Sequence, residues 1–345
     1  MTTIRYLGPI LRSSSTRSIH LAKPAVLRSY ASSSKTSSST TTTQGGPQAP
    51  LEYCSSLVQR LDPEAWLCSY FWPKRERSWF LAYRAFNIEL HLISTTISQP
   101  GLAAIRFQFW RDALKTIYSS DPQSSTSAIP QHPVAVLLGD MKRNRPIQKY
   151  YLSQLIDTRA KTLSLPPSSS SLETHINTYS PISNSLLLGT LPLVLPPKHE
   201  ATSDLSHNLS HLSTLLTVVS LLRNLPVLVA SKKQINIPNS ISEKYNLIEE
   251  DILRNGSQAK GLKDACYEIG TRGMDELITS RSHLKKSNGK ILPQSAMPVF
   301  LSAVPAENYL KRLESLDFDV FHPDLQKHDW KLAPKIWWKY QSGKL

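Results

Sequence analysis

The chain has 345 residues, a formal net charge of +14 and 40% apolar residues, so it can bury the core of one large domain with an appendage. Its cysteines, Cys54, Cys68 and Cys266, make neither a metal-like spacing nor an even disulfide set, which excludes a disulfide-stapled fold and predicts reduced, buried thiols. The basic residues are scattered and no recognition motif accompanies them, so nucleic acid is not an expected partner.

The charge is uneven. Residues 1–50 hold Arg5, Arg12, Arg17, Lys23, Arg28 and Lys35, and no acid occurs before Glu52; without these six the remainder still carries +8. The arginines alternate with Ile4, Leu7, Ile10, Leu11, Ile19, Leu21, Val26 and Leu27 in a Ser/Thr-rich background. That composition predicts a mitochondrial transit peptide over 1–30, drawn inward by a negative potential, with cleavage after Tyr30 in Arg28-Ser-Tyr-Ala31. Residues 31–50 read as a disordered Ser/Thr-rich linker.

From about 51 to 345 the chain reads as helix after helix in one all-α domain. Leu102, Ile105, Phe109, Ala113 and Ile117 recur at helical spacing; so do Leu212, Leu215, Val219 and Leu222. Leu262, Cys266, Ile269, Leu277 and Leu284 mark a longer helix with a weak place at Gly270 and Gly273. Breaks fall at Asp62-Pro63, Gln99-Pro-Gly101, 119–133, Pro166 and its serines, Leu195–Ser203, and 286–293. No run of 18 apolar residues is free of charge, and Arg223 and Pro226 interrupt the longest candidate, so no transmembrane helix is expected. The stripes themselves specify only a helical assembly: a terpenoid-synthase fold, a solenoid or an adaptor. No repeat of solenoid length is present.

Motifs narrow this. They are Tyr53-Cys54, Leu67-Cys-Ser69, Tyr83-Arg-Ala-Phe-Asn-Ile-Glu-Leu90, Arg106-Phe-Gln-Phe-Trp-Arg111, His132-Pro-Val-Ala135, Leu155-Ile-Asp157 with Arg159, Val219-Ser-Leu-Leu-Arg-Asn-Leu-Pro226, Phe318-Asp-Val-Phe-His-Pro323 and Ile336-Trp-Trp-Lys339. In order and spacing they resemble the squalene/phytoene synthase superfamily, most nearly its mitochondrial complex I (NADH dehydrogenase) assembly factor six type. The resemblance covers about 53–339. It implies a single helical bundle of the isoprenoid/terpenoid synthase type. In the working enzymes of that superfamily two helices carry paired aspartates that hold magnesium against a prenyl diphosphate. Here Asn87 and His91 stand at those places on the first helix, and Asn224 and Leu228 on the second.

Asn offers one neutral oxygen, Leu none, and His prefers softer metals. Glu89 remains, but two residues from Asn87 it points elsewhere. The expectation is therefore a pseudo-enzyme with no catalytic residues, no metal and no cofactor. Its vestigial prenyl-diphosphate pocket would comprise Arg84, Asn87, Glu89, His91, Arg223, Asn224 and Leu228. Arg84 and Arg223 are expected in structural ion pairs with Glu89 or Asp157, and Trp110 in the core. Pro181 sits where the family has a polar helical stretch. By resemblance the role is non-catalytic assembly of complex I, early on the membrane arm, at the matrix side of the inner membrane. Its partners would be assembly intermediates or a membrane-arm subunit, with inner-membrane lipids also possible. The alternative is an active magnesium-dependent farnesyl or geranylgeranyl diphosphate transferase. Lys335, Trp337, Trp338 and Lys339 pair cations with aromatics, as a membrane or partner surface would. Equally, the tryptophans would close the bundle; Trp337 packed inward with Lys335 and Lys339 displayed outward would satisfy both readings. His207 and His211, four apart with Asp204 three before, suit one helix face, but no third ligand is recognisable and no zinc site is expected.

Overall fold

Proline and hydrophobic periodicity divide the chain into helices. In the computed structural model, which describes residues 49–97, 99–119, 129–284 and 288–345, α1 (Pro50–Leu61), α2 (Pro63–Ser69), α4 (Pro100–Ile117) and α5 (Pro133–Asn144) each open on proline. A helix's first N–H needs no partner, so proline costs least there. Between and after them come α3 (Lys74–Thr96), α6 (Lys149–Thr162), α7 (Leu172–Leu188), α8 (Thr202–Lys232), α9 (Asn239–Lys244) and α10 (Glu249–Asn255). The last four are α11 (Leu262–His283), α12 (Met297–Phe300), α13 (Ala303–Ser315) and α14 (Leu332–Ser342). Among the described residues there is no strand, only an isolated bridge between Lys290 and Lys344. All these helices belong to one compact unit, so the all-α reading holds. The transit-peptide reading of 1–30 and all but the end of the 31–50 linker lie outside the described residues; Pro50 already opens α1.

Two His-Pro motifs explain themselves locally. His132 Nδ1 accepts the Val134 N–H at the start of α5, and His322 Nδ1 accepts the Asp324 N–H at the turn Pro323–Gln326. Each imidazole satisfies a donor that the helix start leaves open.

The long helix α8 lies against α7, α11 and α13, while α3 packs on α1, α4, α5 and α6. By length and composition α8 is apolar enough to cross a membrane, and it runs unbroken through Pro226. Leu205, Leu209, Leu212, Leu215, Val218, Leu222 and Leu225 are nonetheless buried within the bundle. Proline usually costs an interior helix about 3 kcal/mol. Burial on several sides outweighs that loss, and the same holds for Pro181 inside α7.

Two sequence expectations are corrected by packing. The helix α11 does not weaken at Gly270 and Gly273: a Cβ on Gly273 would lie 3.1 Å from Val218 Cγ1, so that glycine lets α8 and α11 approach closely. On α4, Leu102, Ile105 and Phe109 are exposed. The buried face is instead Ala103, Phe107, Trp110, Ala113 and Leu114, a second stripe rotated from the first. Trp110 is core, edge-on to Phe86 and His132. All three cysteines are free and buried.

Candidate functional site

A cavity of about 220 Å³ opens where α2, α3, α6, α7, α8 and α13 converge. Helical spacing brings its polar groups there. Arg84 and Asn87 are three apart on α3, and Leu216, Val219, Ser220 and Arg223 form the matching face of α8. The sequence Asp62-Pro63 begins α2, and Asp62 Oδ1 accepts the Ala65 N–H at 3.1 Å as its N-cap.

The other oxygen of Asp62 accepts Arg84, whose Nε lies 3.0 Å away. Two residues on, Glu64 receives Arg223 through two parallel bonds of 2.7 and 2.9 Å. The Arg223 guanidinium also lies 4.6 Å above the Tyr309 ring. Burial works against the charge of Arg223, but Glu64, then Tyr309 and Asp62, outweigh it and raise its pKa. Arg84 and Arg223 are thus structural ion pairs, as expected, but with Asp62 and Glu64. Glu89 instead accepts Tyr53 Oη at 2.5 Å, and Asp157 accepts Arg111 at 3.0 Å.

Arg159 differs. Its guanidinium donates to Asn87 Oδ1 and meets His91 Nδ1, both at 3.1 Å, and both partners are neutral. The Arg159 Nε is buried with no hydrogen-bond partner among the described residues. Burial pulls its pKa down to about 10. The protein around His91, then the charges of Arg159 and Lys232, push its pKa down to about 3, which keeps Nδ1 free to accept.

Of the seven residues expected to form the pocket, Arg84, Asn87 and Arg223 line the cavity, and His91 reaches it through Arg159. Glu89 turns to α1, Asn224 faces solvent, and Leu228 is half-buried outside the lining. Sequence reasoning missed Asp62, Glu64 and Arg159. A signal for Arg159 was available: Leu152, Leu155 and Ile156 are buried, and Arg159 continues that face of α6 at the next turn.

Magnesium fits this donor set poorly. It requires near-octahedral oxygens, commonly one or two carboxylates with water and substrate phosphate. The two carboxylates lining the cavity are each occupied by an arginine, and Arg159 adds a third positive charge. No metal-dependent step follows from these residues.

A second concave surface, about 550 Å³, lies between α13 and α14. Ile336 is fully buried and anchors α14, and Tyr340 packs 5.0 Å from Phe71. Trp337 and Trp338 are 51% and 67% exposed, so of the two readings the tryptophans do not close the bundle: Ile336 takes that place. Lys311, Lys335, Trp337, Trp338 and Lys339 line the groove, and Trp330 is exposed nearby in sequence.

The family model for squalene/phytoene synthase matches residues 58–331. The protein named NADH dehydrogenase (ubiquinone) complex I, assembly factor 6, from Bos taurus is 32% identical over 277 residues, covering 80% of this chain and 77% of that protein. The Homo sapiens protein of the same name is 31% identical with the same coverage, and the Drosophila melanogaster homolog is 29% identical over 84% of this chain and 82% of its own. A dehydrosqualene synthase crystal structure superposes with a TM-score of 0.67 at 15% identity, over 85% of this chain and 95% of that one. A squalene synthase from Alicyclobacillus acidocaldarius gives 0.62 at 13% identity, over 78% and 95%. At such identities these structures establish the fold alone. Chain-long sequence similarity and shared fold agree: this chain belongs to the squalene/phytoene synthase family, on the branch whose relatives are named complex I assembly factor 6.

Proposed function

We propose that this protein is a non-catalytic assembly factor for mitochondrial respiratory complex I, acting early on the membrane arm. The observation that carries the reading is its 32% identity, over most of both chains, to a protein named for that assembly. The cavity supports the non-catalytic part. Diphosphate departure needs metal charge held by free carboxylates, and here Asp62 and Glu64 are held by Arg84 and Arg223. Asn87, His91, Asn224 and Leu228 stand where the aspartate-rich motifs would be, so we read those motifs as lost and the old pocket as vestigial.

The protein would act at the matrix face of the inner membrane after import directed by residues 1–30. The α14 surface suits peripheral attachment: Trp337 and Trp338 offer apolar area to the acyl boundary, while Lys335 and Lys339 attract anionic headgroups. A membrane-arm subunit or an assembly intermediate would be met at the same boundary.

Deletion of the gene followed by native gels of the respiratory complexes tests the role. Selective loss of complex I is expected; unchanged complex I would remove the proposal. Incubation of the purified chain with magnesium and farnesyl or geranylgeranyl diphosphate tests the non-catalytic part. Turnover above a no-protein control would replace it with an active prenyl transferase. Flotation with cardiolipin-containing vesicles tests attachment, and the Trp337→Ala/Trp338→Ala variant is expected to lose most of the bound fraction.

A further inference from the structure

Three imidazoles meet at the surface between the first turns of α8 and the last turn of α11, far in sequence from the carboxylates of the cavity. His207 and His211 come from α8 and His283 from α11, and one ring nitrogen from each lies within 4.8 Å of the others. The helical spacing of His207 and His211 was visible in the sequence; the third ligand was not, because His283 reaches them only through the packing of α8 on α11.

The geometry resembles a metal shell in two independent respects. First, His207 Nε2 and His211 Nε2 are 3.3 Å apart. Zinc–nitrogen bonds of about 2.0–2.1 Å at tetrahedral angles place two donors about 3.3–3.4 Å apart. Second, His211 Nδ1 lies 2.5 Å from Glu276 Oε2. The ring therefore donates Nδ1–H to the carboxylate and turns the lone pair of Nε2 outward. A carboxylate behind a ligating histidine fixes its tautomer and raises its basicity. Glu276 is itself held by Arg272, which also donates to Glu173 on α7 at 2.9 Å.

We propose that His207, His211 and His283 form a zinc site, with Glu276 as the orienting carboxylate behind His211 and a fourth position open to solvent or to a donor from a partner. His207 and His283 are exposed, so their rings can turn to close the wider gap without disturbing the core. Loading moves the proton that His207 shares between the two Nε2 atoms onto its Nδ1, leaving both Nε2 lone pairs on the metal. Bound zinc would tie the start of α8 to the end of α11.

The test uses the full chain, freed of any histidine tag, titrated with zinc chloride against a chromogenic chelator and separately with cobalt(II) chloride. One equivalent of zinc is expected, with the intense visible band of four-coordinate cobalt and a zinc-dependent rise in melting temperature. His207→Asn and His283→Asn should each weaken zinc at least about 100-fold and abolish the melting shift, while melting like the parent without metal. Glu276→Gln should weaken it about 10- to 100-fold. Absence of saturable zinc uptake, or equal uptake by the parent and by His207→Asn and His283→Asn, would overturn the site. Because the two asparagine variants lie at the surface, their folding keeps the result decisive even if Glu276→Gln unfolds.

Discussion

The helix α8 carries two polar regions that answer opposite demands. Near Arg223 it faces the cavity, where each lining carboxylate is matched by a guanidinium and the groups are held by the bundle. Near His207 and His211 it faces solvent beside α11, where three imidazoles converge and their carboxylate lies behind them instead of among them. Closed ion pairs contribute to the architecture and leave little donor capacity for a ligand. Open lone pairs contribute little to the fold and retain that capacity. One helix thus holds a region whose carboxylates are already paired and a region whose imidazole nitrogens face solvent.

The largest effect should come from opening a pair in the cavity. Arg84→Met leaves the half-buried Asp62 carboxylate uncompensated at the start of α2 and should cost about 3 kcal/mol of stability in urea denaturation. Adding Asp62→Asn, which keeps a capping oxygen, should recover part of it; a purely additive double variant would mean that the pair is not coupled.

A buried histidine sharpens the contrast with the exposed three. His175 is buried on α7, stacked 4.4 Å from Tyr179, and burial pushes its pKa down to about 4. Below 6.5 the unfolded chain binds a proton that the folded chain refuses, so this contribution is complete above pH 6.5 and disappears as the pH falls towards 4. The depression corresponds to about 3 kcal/mol at most. His175→Phe should flatten stability against pH across that window, and an unchanged slope would refute the assignment.

Smaller effects are expected where a cation lacks a counter-charge or a histidine lacks burial. Among the described residues Arg159 has neutral partners and an unpartnered Nε. Its replacement by Met should change stability by no more than about 1 kcal/mol, with gain favoured over loss. A loss as large as that of Arg84→Met would show that the cavity depends on all three arginines alike. In zinc-free buffer His207→Asn should stay within about 0.5 kcal/mol of the parent by thermal melting.

Much of the fold was legible locally. The breaks read at Asp62-Pro63, Gln99-Pro-Gly101 and 119–133 fall where α2, α4 and α5 begin, and the stripes of α8 and α11 were found buried as read. The α4 stripe failed because that helix offers two apolar faces and only docking selects between Phe107 and Ile105. On α14 the sequence left the choice open: Ile336 lies between basic and aromatic residues, and spacing does not say which apolar side chain turns inward. For the cavity, the arginines were named, but their acceptors were not, since Glu64 and Arg223 lie 159 positions apart.

The amino-acid sequence by itself determined an all-α chain, the main helix breaks and membership in its family, because periodicity, proline geometry and ordered motifs act over short stretches. Only the tertiary structure decided that Asp62 and Glu64 neutralise Arg84 and Arg223, that Trp337 and Trp338 stay outside, and that His283 joins His207 and His211. Those outcomes depend on which helix faces pack together, and a face is chosen by the total area it buries against distant neighbours, not by the spacing of its own residues.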